Sequence, residues 1–150
     1  MDKINVLIAG ATGYIGIELV KILSIHKYTK IKYLCGNTSV GKKITHYDKS
    51  IKKKLPKITK FKERYLNEVD VIFTALPNGE AQIISKLLNK KNILIDLSAD
   101  FRLRNTNDYK KWYKKIHKAK ANQKKSIYAL PEFLKKITKY KIISCPGCYP

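Results

Sequence analysis

Arginine is scarce in this chain. Only Arg64, Arg102 and Arg104 stand among 32 basic residues, so 29 are lysine, against 11 acids and a net charge of +21. Such a charge invites a nucleic-acid reading. The scarcity argues against it, because base readout and bidentate phosphate contacts favour the guanidinium fork. The lysines are also spread over most of the chain. A solvated lysine surface is the plainer reading, and it would still draw in anionic phosphates. Long apolar runs are missing too, and none could cross a bilayer. The three cysteines, Cys35, Cys145 and Cys148, are too few for a disulfide framework. The first strand begins at Ile4, which leaves no room before it for a targeting segment. The expectation is one cytoplasmic domain with no membrane or nucleic-acid partner. Neither internal repeats nor a low-complexity tail is visible.

What is present is concentrated between residues 4 and 25. Ile4-Asn5-Val6-Leu7-Ile8-Ala9 reads as a buried strand. Gly10-Ala11-Thr12-Gly13-Tyr14-Ile15-Gly16 follows at once, and Ile15, Leu19, Val20, Ile22 and Leu23 then recur at helical spacing. A strand, a glycine turn and a helix open a dinucleotide-binding unit. Gly10 allows the tight turn, Gly13 lets backbone approach a pyrophosphate, and Gly16 lets the helix lie close to the strand. Free N–H groups at the helix start then face the phosphates. The spacing is G-x-x-G-x-x-G rather than G-x-G-x-x-G, and a purely structural turn remains the alternative.

A second strand is expected at 31–35. No acid follows it to hold a ribose 2′-hydroxyl. Gly36-Asn37-Thr38-Ser39-Val40-Gly41-Lys42-Lys43 follows instead. Ser39 and Lys42 would suit a 2′-phosphate, which favours NADP(H) over NAD(H), with an ordinary polar loop as the competing reading. Residues 45–64 read as an exposed lysine-rich connection, with a short strand near 58–61 and a short helix to about 68. Further strands are expected at 70–75, 92–97 and 141–145, with 126–130 a strand or an extended run. Helices are expected at 80–90, 108–117 and 131–140. The helix at 80–90 would bury Ala81, Ile84, Leu87 and Leu88. The one at 108–117, capped by Asn107, would bury Tyr109, Trp112, Tyr113 and Ile116. Strands alternating with helices imply an α/β, Rossmann-type, doubly wound and mostly parallel sheet. Ligands in such sheets bind beyond the carboxyl ends of the strands, so the turns at Gly10, Asn37, Leu76 and Ser98 should share an edge.

Gly10–Gly16, Ile95-Asp-Leu-Ser-Ala-Asp-Phe-Arg-Leu103 and Pro146-Gly-Cys-Tyr-Pro150 together resemble the N-acetyl-gamma-glutamyl-phosphate reductase family. Ala75-Leu76-Pro77 and Leu130-Pro131-Glu132 fit the same pattern, and the resemblance runs in order over essentially the whole chain. It implies an NADPH-dependent step of arginine biosynthesis on a small-molecule acyl phosphate. A cysteine thiolate displaces phosphate, and the resulting thioester takes hydride and leaves as the semialdehyde. It places the nucleophile at Cys148, a phosphate-holding guanidinium at Arg102, and cofactor contacts at Gly10, Ala11, Thr12, Gly13, Tyr14, Ile15, Gly16, Leu76, Pro77 and Ser98. No metal is implied. His117 reads as structural. The related aspartate and aminoadipate semialdehyde dehydrogenases share the first motif and are the alternative, beside a nucleotide- or nucleic-acid-binding module without catalysis.

Two departures from the family bear on activity. Its second domain, with an acid/base histidine and much of a homo-oligomer interface, does not follow the cysteine motif here. The expectation is that residues 1–150 form the NADP-binding domain and bind NADPH without turnover. Cys145 also stands where many members have Asn, which creates a C-x-x-C with Cys148. It reads as an incidental strand-end residue with no required disulfide.

Overall fold

A computed structural model describes residues 2–134 and 136–148. The chain divides into two compact units, Met1–Ala75 and Leu76–Pro150. In the first, β1 (Ile4–Ala9) leads into α1 (Tyr14–Ile25) and β2 (Thr29–Cys35), and β3 (Val71–Thr74) closes the unit. The strand order is β2-β1-β3, with both pairings parallel. Ala9 stands level with both Cys35 and Thr74. The turns at Gly10 and Gly36 therefore leave one strand edge together, as expected.

The lysine-rich connection departs from expectation. Ile44, Ile51 and Ile58 are buried and join Val6, Ile8, Val20, Ile31 and Leu34 in one apolar cluster, with Leu55 packed against it. The lysines point outward while every few residues an aliphatic side chain turns inward, so the stretch covers the core rather than merely connecting strands. The short strand expected near 58–61 is a single parallel bridge between Cys35 and Thr59. The short helix is a 3₁₀ turn, Glu63–Asn67. On α1 the buried face is Gly16, Val20 and Ser24, with Leu19 and Leu23 partly buried. Ile15 and Ile22, expected on that face, are exposed.

The second unit holds α2 (Glu80–Leu87), β4 (Ile93–Asp96), α3 (Thr106–Tyr113), α4 (Lys120–Gln123), β5 (Ser126–Tyr128) and β6 (Ile142–Ser144). Its strand order is β4-β6-β5, again with parallel pairings. Asp96, Tyr128 and Ser144 share a level, so the turns after β4 and β6 leave one edge. Helix α2 stops at Leu87 and buries Ala81, Gln82, Ile84 and Ser85. Leu87 and Leu88, expected in its apolar face, are only half-buried.

Helix α3 is shorter and earlier than expected. Asn105, not Asn107, is its cap and accepts from the Asn107 amide. The helix ends where Lys114 turns left-handed at φ 56°. Only Tyr109 is buried, while Trp112 and Ile116 are 70% and 64% exposed. The helix expected at 131–140 is one 3₁₀ turn, Pro131–Phe133, followed by extended Leu134. Lys135 lies outside the described residues, as do Tyr149 and Pro150 of the cysteine motif.

Candidate functional site

In the first unit the site is built on the glycine turn. Gly10 adopts φ 84°, and the amides of Gly10 and Ala11 both donate to the Cys35 carbonyl at 2.9 and 3.0 Å. A Cβ at Gly16 would lie 2.0 Å from the Gly10 carbonyl oxygen, so nothing but glycine fits where the helix crosses the turn. Gly13 is different. A Cβ there would meet the chain no closer than 3.6 Å, and its φ of −75° suits any residue. The fold does not require glycine at this position. A ligand approaching the backbone closely would.

The helix N-terminus is equally open. Gly13 offers no side-chain cap, and the first turn holds no acid. Uncapped first-turn amides and the positive end of the helix dipole suit a phosphate. These residues fit a dinucleotide.

The hydroxyl of Ser39 lies 3.1 Å from that of Thr12, and Ser39 is 2% exposed. Its side chain thus braces the 36–41 loop, where a 2′-phosphate contact is expected, against the glycine turn. Lys42 is exposed, and its backbone is held because its carbonyl accepts from the Ile58 amide at 3.0 Å. Its ammonium remains available to an anion. Cys35 is buried, and burial pushes its thiol up to about 12, so it is inert.

The second unit assembles a different arrangement around two buried acids. Asp96 accepts from the Ser98 amide at 3.0 Å and from the Ser98 hydroxyl at 2.5 Å. Ser98 thus turns both its amide and its hydroxyl inward onto Asp96. Asp100 accepts from the Gly79 amide at 2.7 Å, the Gln82 side-chain amide at 3.1 Å and the Tyr109 hydroxyl at 2.6 Å. One carboxylate therefore ties the start of α2 and the middle of α3 to the loop after β4. Burial and this bond both raise the Tyr109 hydroxyl's pKa. His117 bonds the Asp100 carbonyl at 2.9 Å, which agrees with its structural reading. Leu76 is half-buried and Pro77 exposed, ahead of the Asp100-bound turn.

Arg102 links the two long motifs. Its Nε donates to the Cys145 carbonyl at 2.9 Å and its Nη2 to the Leu97 carbonyl at 3.1 Å. A Cβ at Gly147 would lie 3.0 Å from Nη1. The guanidinium therefore sits against Gly147, one residue before Cys148, with further N–H groups unspent. Cys148 is exposed. Burial pushes the Cys145 thiol up, with Asp96 adding to the shift and Arg102 opposing it. The Asp100 hub was missed at the sequence level. Its only local signal was an acid between the apolar Ala99 and Phe101, and its partners come from distant positions.

A family model described as "Semialdehyde dehydrogenase, NAD binding domain" matches residues 5–140. The chain belongs to that family. Curated relatives named N-acetyl-gamma-glutamyl-phosphate reductase include one from Ehrlichia ruminantium (strain Gardel), 42% identical over 98% of this chain and 43% of its own length. One from Brachyspira hyodysenteriae is 40% identical over 98% of this chain and 44% of its own length. The chain thus spans less than half the length of these relatives. Among solved structures, aspartate semialdehyde dehydrogenase II from Vibrio cholerae matches with a TM-score of 0.63. At 19% identity over 98% of this chain and 39% of that one, it speaks for the fold alone. The fold is the Rossmann-type parallel α/β arrangement expected of the family. Among the described residues, no helix is long and apolar enough to cross a membrane.

Proposed function

We propose that this chain is the NADP(H)-binding, nucleophile-bearing part of an N-acetyl-gamma-glutamyl-phosphate reductase. One observation carries the reading: Arg102 binds the Cys145 carbonyl and packs against Gly147, which seats the Cys148 turn on a guanidinium. The Cys148 thiolate attacks the carbonyl carbon of the acyl phosphate. The carbon–oxygen bond to phosphate breaks, phosphate leaves with the bonding pair, and Cys148 is left as a thioester. The unspent N–H groups of Arg102 neutralise the departing phosphate. NADPH, when bound, supplies the hydride that reduces the thioester. The first-turn amides of α1 take the pyrophosphate, Gly13 permits its approach, and Lys42 meets the 2′-phosphate. The reading extends to a cytoplasmic homo-oligomer in which the rest of the relatives' length supplies further catalytic groups.

Calorimetric titration tests the cofactor half. NADPH should bind more tightly than NADH. Gly13→Ala should weaken it at least tenfold while costing about 1 kcal/mol of stability, because Gly is preferred to Ala at a helix N-cap. Equal or tighter NADH binding would overturn the choice of cofactor. For the chemistry, residues 1–150 should bind NADPH without turnover. Fusion to the C-terminal part of a relative should give turnover that Cys148→Ala abolishes. Turnover surviving that substitution would remove Cys148 from its role.

A further inference from the structure

We propose that Gln123 is a positioning residue for Arg102, which it holds by clamping the backbone on either side. The proposal rests on the phosphate-holding role given to Arg102 above. Gln123 closes α4 and is 7% exposed. Its side-chain amide donates to the Leu103 carbonyl at 2.7 Å and to the Phe101 carbonyl at 3.3 Å. These two carbonyls flank Arg102 in the chain. One amide group pins both, which fixes the direction in which the Arg102 side chain leaves the backbone. The clamp is itself anchored. The Gln123 backbone amide donates to the Ala119 carbonyl at 3.1 Å, and its carbonyl accepts from the Ser126 hydroxyl at 2.7 Å. One residue further back, His117 holds the Asp100 carbonyl at 2.9 Å.

Arg102 needs such a hold. Its tip is bonded to the Cys145 and Leu97 carbonyls, which take two of its five N–H donors and leave the others for an anion. A group that handles substrate must keep its geometry to within about 0.5 Å and 10–20°. A small backbone rotation at Arg102 is magnified along a side chain this long, so the tip contacts alone do not secure it. The Gln123 amide carries a second sign of its task. Its Oε1 is buried and has no hydrogen-bond partner among the described residues. Buried acceptors are normally satisfied. Turning the amide over would aim that oxygen at two carbonyl oxygens, so the donors dictate the orientation and the oxygen is left alone. An apolar side chain of similar length would fill the space without stranding an acceptor. Glutamine here therefore serves its two donor bonds rather than packing.

The test is nuclear magnetic resonance of the arginine Nε–H groups, of which the chain has only those of Arg64, Arg102 and Arg104. Loss of one signal in Arg102→Lys assigns it. In the wild-type chain the Arg102 Nε–H should exchange more slowly than that of exposed Arg64 or Arg104, and inorganic phosphate should shift its signal. Gln123→Met is similar in length and removes both donors together with the stranded oxygen. It should speed Arg102 Nε–H exchange and weaken phosphate at that signal, each about tenfold, the scale of one lost hydrogen bond. The Leu94 amide, bonded to the Lys141 carbonyl at 2.9 Å, should keep its protection, which a general loosening of the unit would not allow. Gln123→Glu has the same shape but no donor when ionised, and should reproduce both effects. Unchanged Arg102 exchange in Gln123→Met would overturn the proposal. So would an equal loss of protection at Leu94 in both variants. A wild-type Arg102 signal blind to phosphate would overturn the phosphate-holding role, while the exchange comparison would still decide whether Gln123 holds Arg102.

Discussion

The two units solve the same problem with different materials. The first buries hydrocarbon: its cluster is Val, Ile, Leu and Ala, and its buried polar residues are the small hydroxyls Ser24, Ser39 and Thr74. The second buries Gln82, Asn92, Asp96, Asp100, His117 and Gln123 among fewer aliphatics. In the first unit the site loop is held by backbone amides on the Cys35 carbonyl and by glycine packing. In the second, the loop between β4 and α3 is held by carboxylates that gather distant amides and hydroxyls. Apolar packing degrades gradually as volume is lost. A polar hub fails abruptly, because removing one acceptor strands every donor aimed at it. A phosphate cradle made of backbone tolerates the first arrangement. A loop that must present Arg102 and the Cys148 turn in one geometry benefits from the second.

The sharpest way to break this comparison is Asp100→Ala. It strands the Gly79 amide, both Gln82 donors and the Tyr109 hydroxyl. At about 1–3 kcal/mol per stranded buried donor, partly offset by relaxation, the loss should reach about 4 kcal/mol. Urea unfolding followed by amide exchange at Gly79 and Gln82 measures it. A loss below about 1 kcal/mol would show that the hub does not hold the second unit.

Ile58→Ala should cost somewhat less, about 3 kcal/mol, and Ile58→Val about 1 kcal/mol, in proportion to the volume removed. Ile58 is 1% exposed within the apolar cluster. Lys54→Ala and Lys57→Ala, both at exposed positions, should stay within about 0.5 kcal/mol. The same unfolding series reads both. If the lysine changes matched the isoleucine change, the stretch would not be a core cover.

The strands were legible because buried parallel strands are short unbroken apolar runs, as in 4–9 and 70–75. The cover at 45–64 was not. Ile51 and Ile58 sit in irregular backbone and Ile44 opens a single 3₁₀ turn, where neither the period of 2 nor that of 3.6 applies. Trp112 and Ile116 were misplaced for the opposite reason. They repeat at helical spacing, yet α3 ends at Tyr113 and both are exposed. In the candidate site, Gly10 and Gly16 were legible because turn geometry restricts those positions to glycine, whereas Arg102 and Cys148 were expected only from the family resemblance. Asp100 was not legible, since its partners at 79, 82 and 109 meet only after folding. The Ser39–Thr12 hydroxyl pair was not legible either, since it joins residues 27 positions apart.

The smallest expected effect is a pH dependence confined to the second unit. The Ala119 amide donates to His117 Nδ1 at 3.2 Å, so that nitrogen carries a lone pair. Nε2 therefore holds the proton and donates to the Asp100 carbonyl at 2.9 Å. The ring is neutral and lies edge-on to Phe101 and Tyr109. A second proton would have to sit on Nδ1, facing the Ala119 N–H. Burial is the main cause that lowers the His117 pKa below 6.5, the bond to the Asp100 carbonyl opposes it, and Lys120 and Lys86 add to the lowering. Between the folded and unfolded values the unfolded chain binds more protons. Stability should therefore fall as pH drops through about 6.5 and level off below the folded value. Urea midpoints from pH 7.5 to 5, with Ala119 exchange as the local probe, should show this slope. His117→Gln should remove it, and Ile8 exchange in the first unit should keep its protection throughout. A flat profile, or one rising toward acid, would mean that His117 is not held neutral.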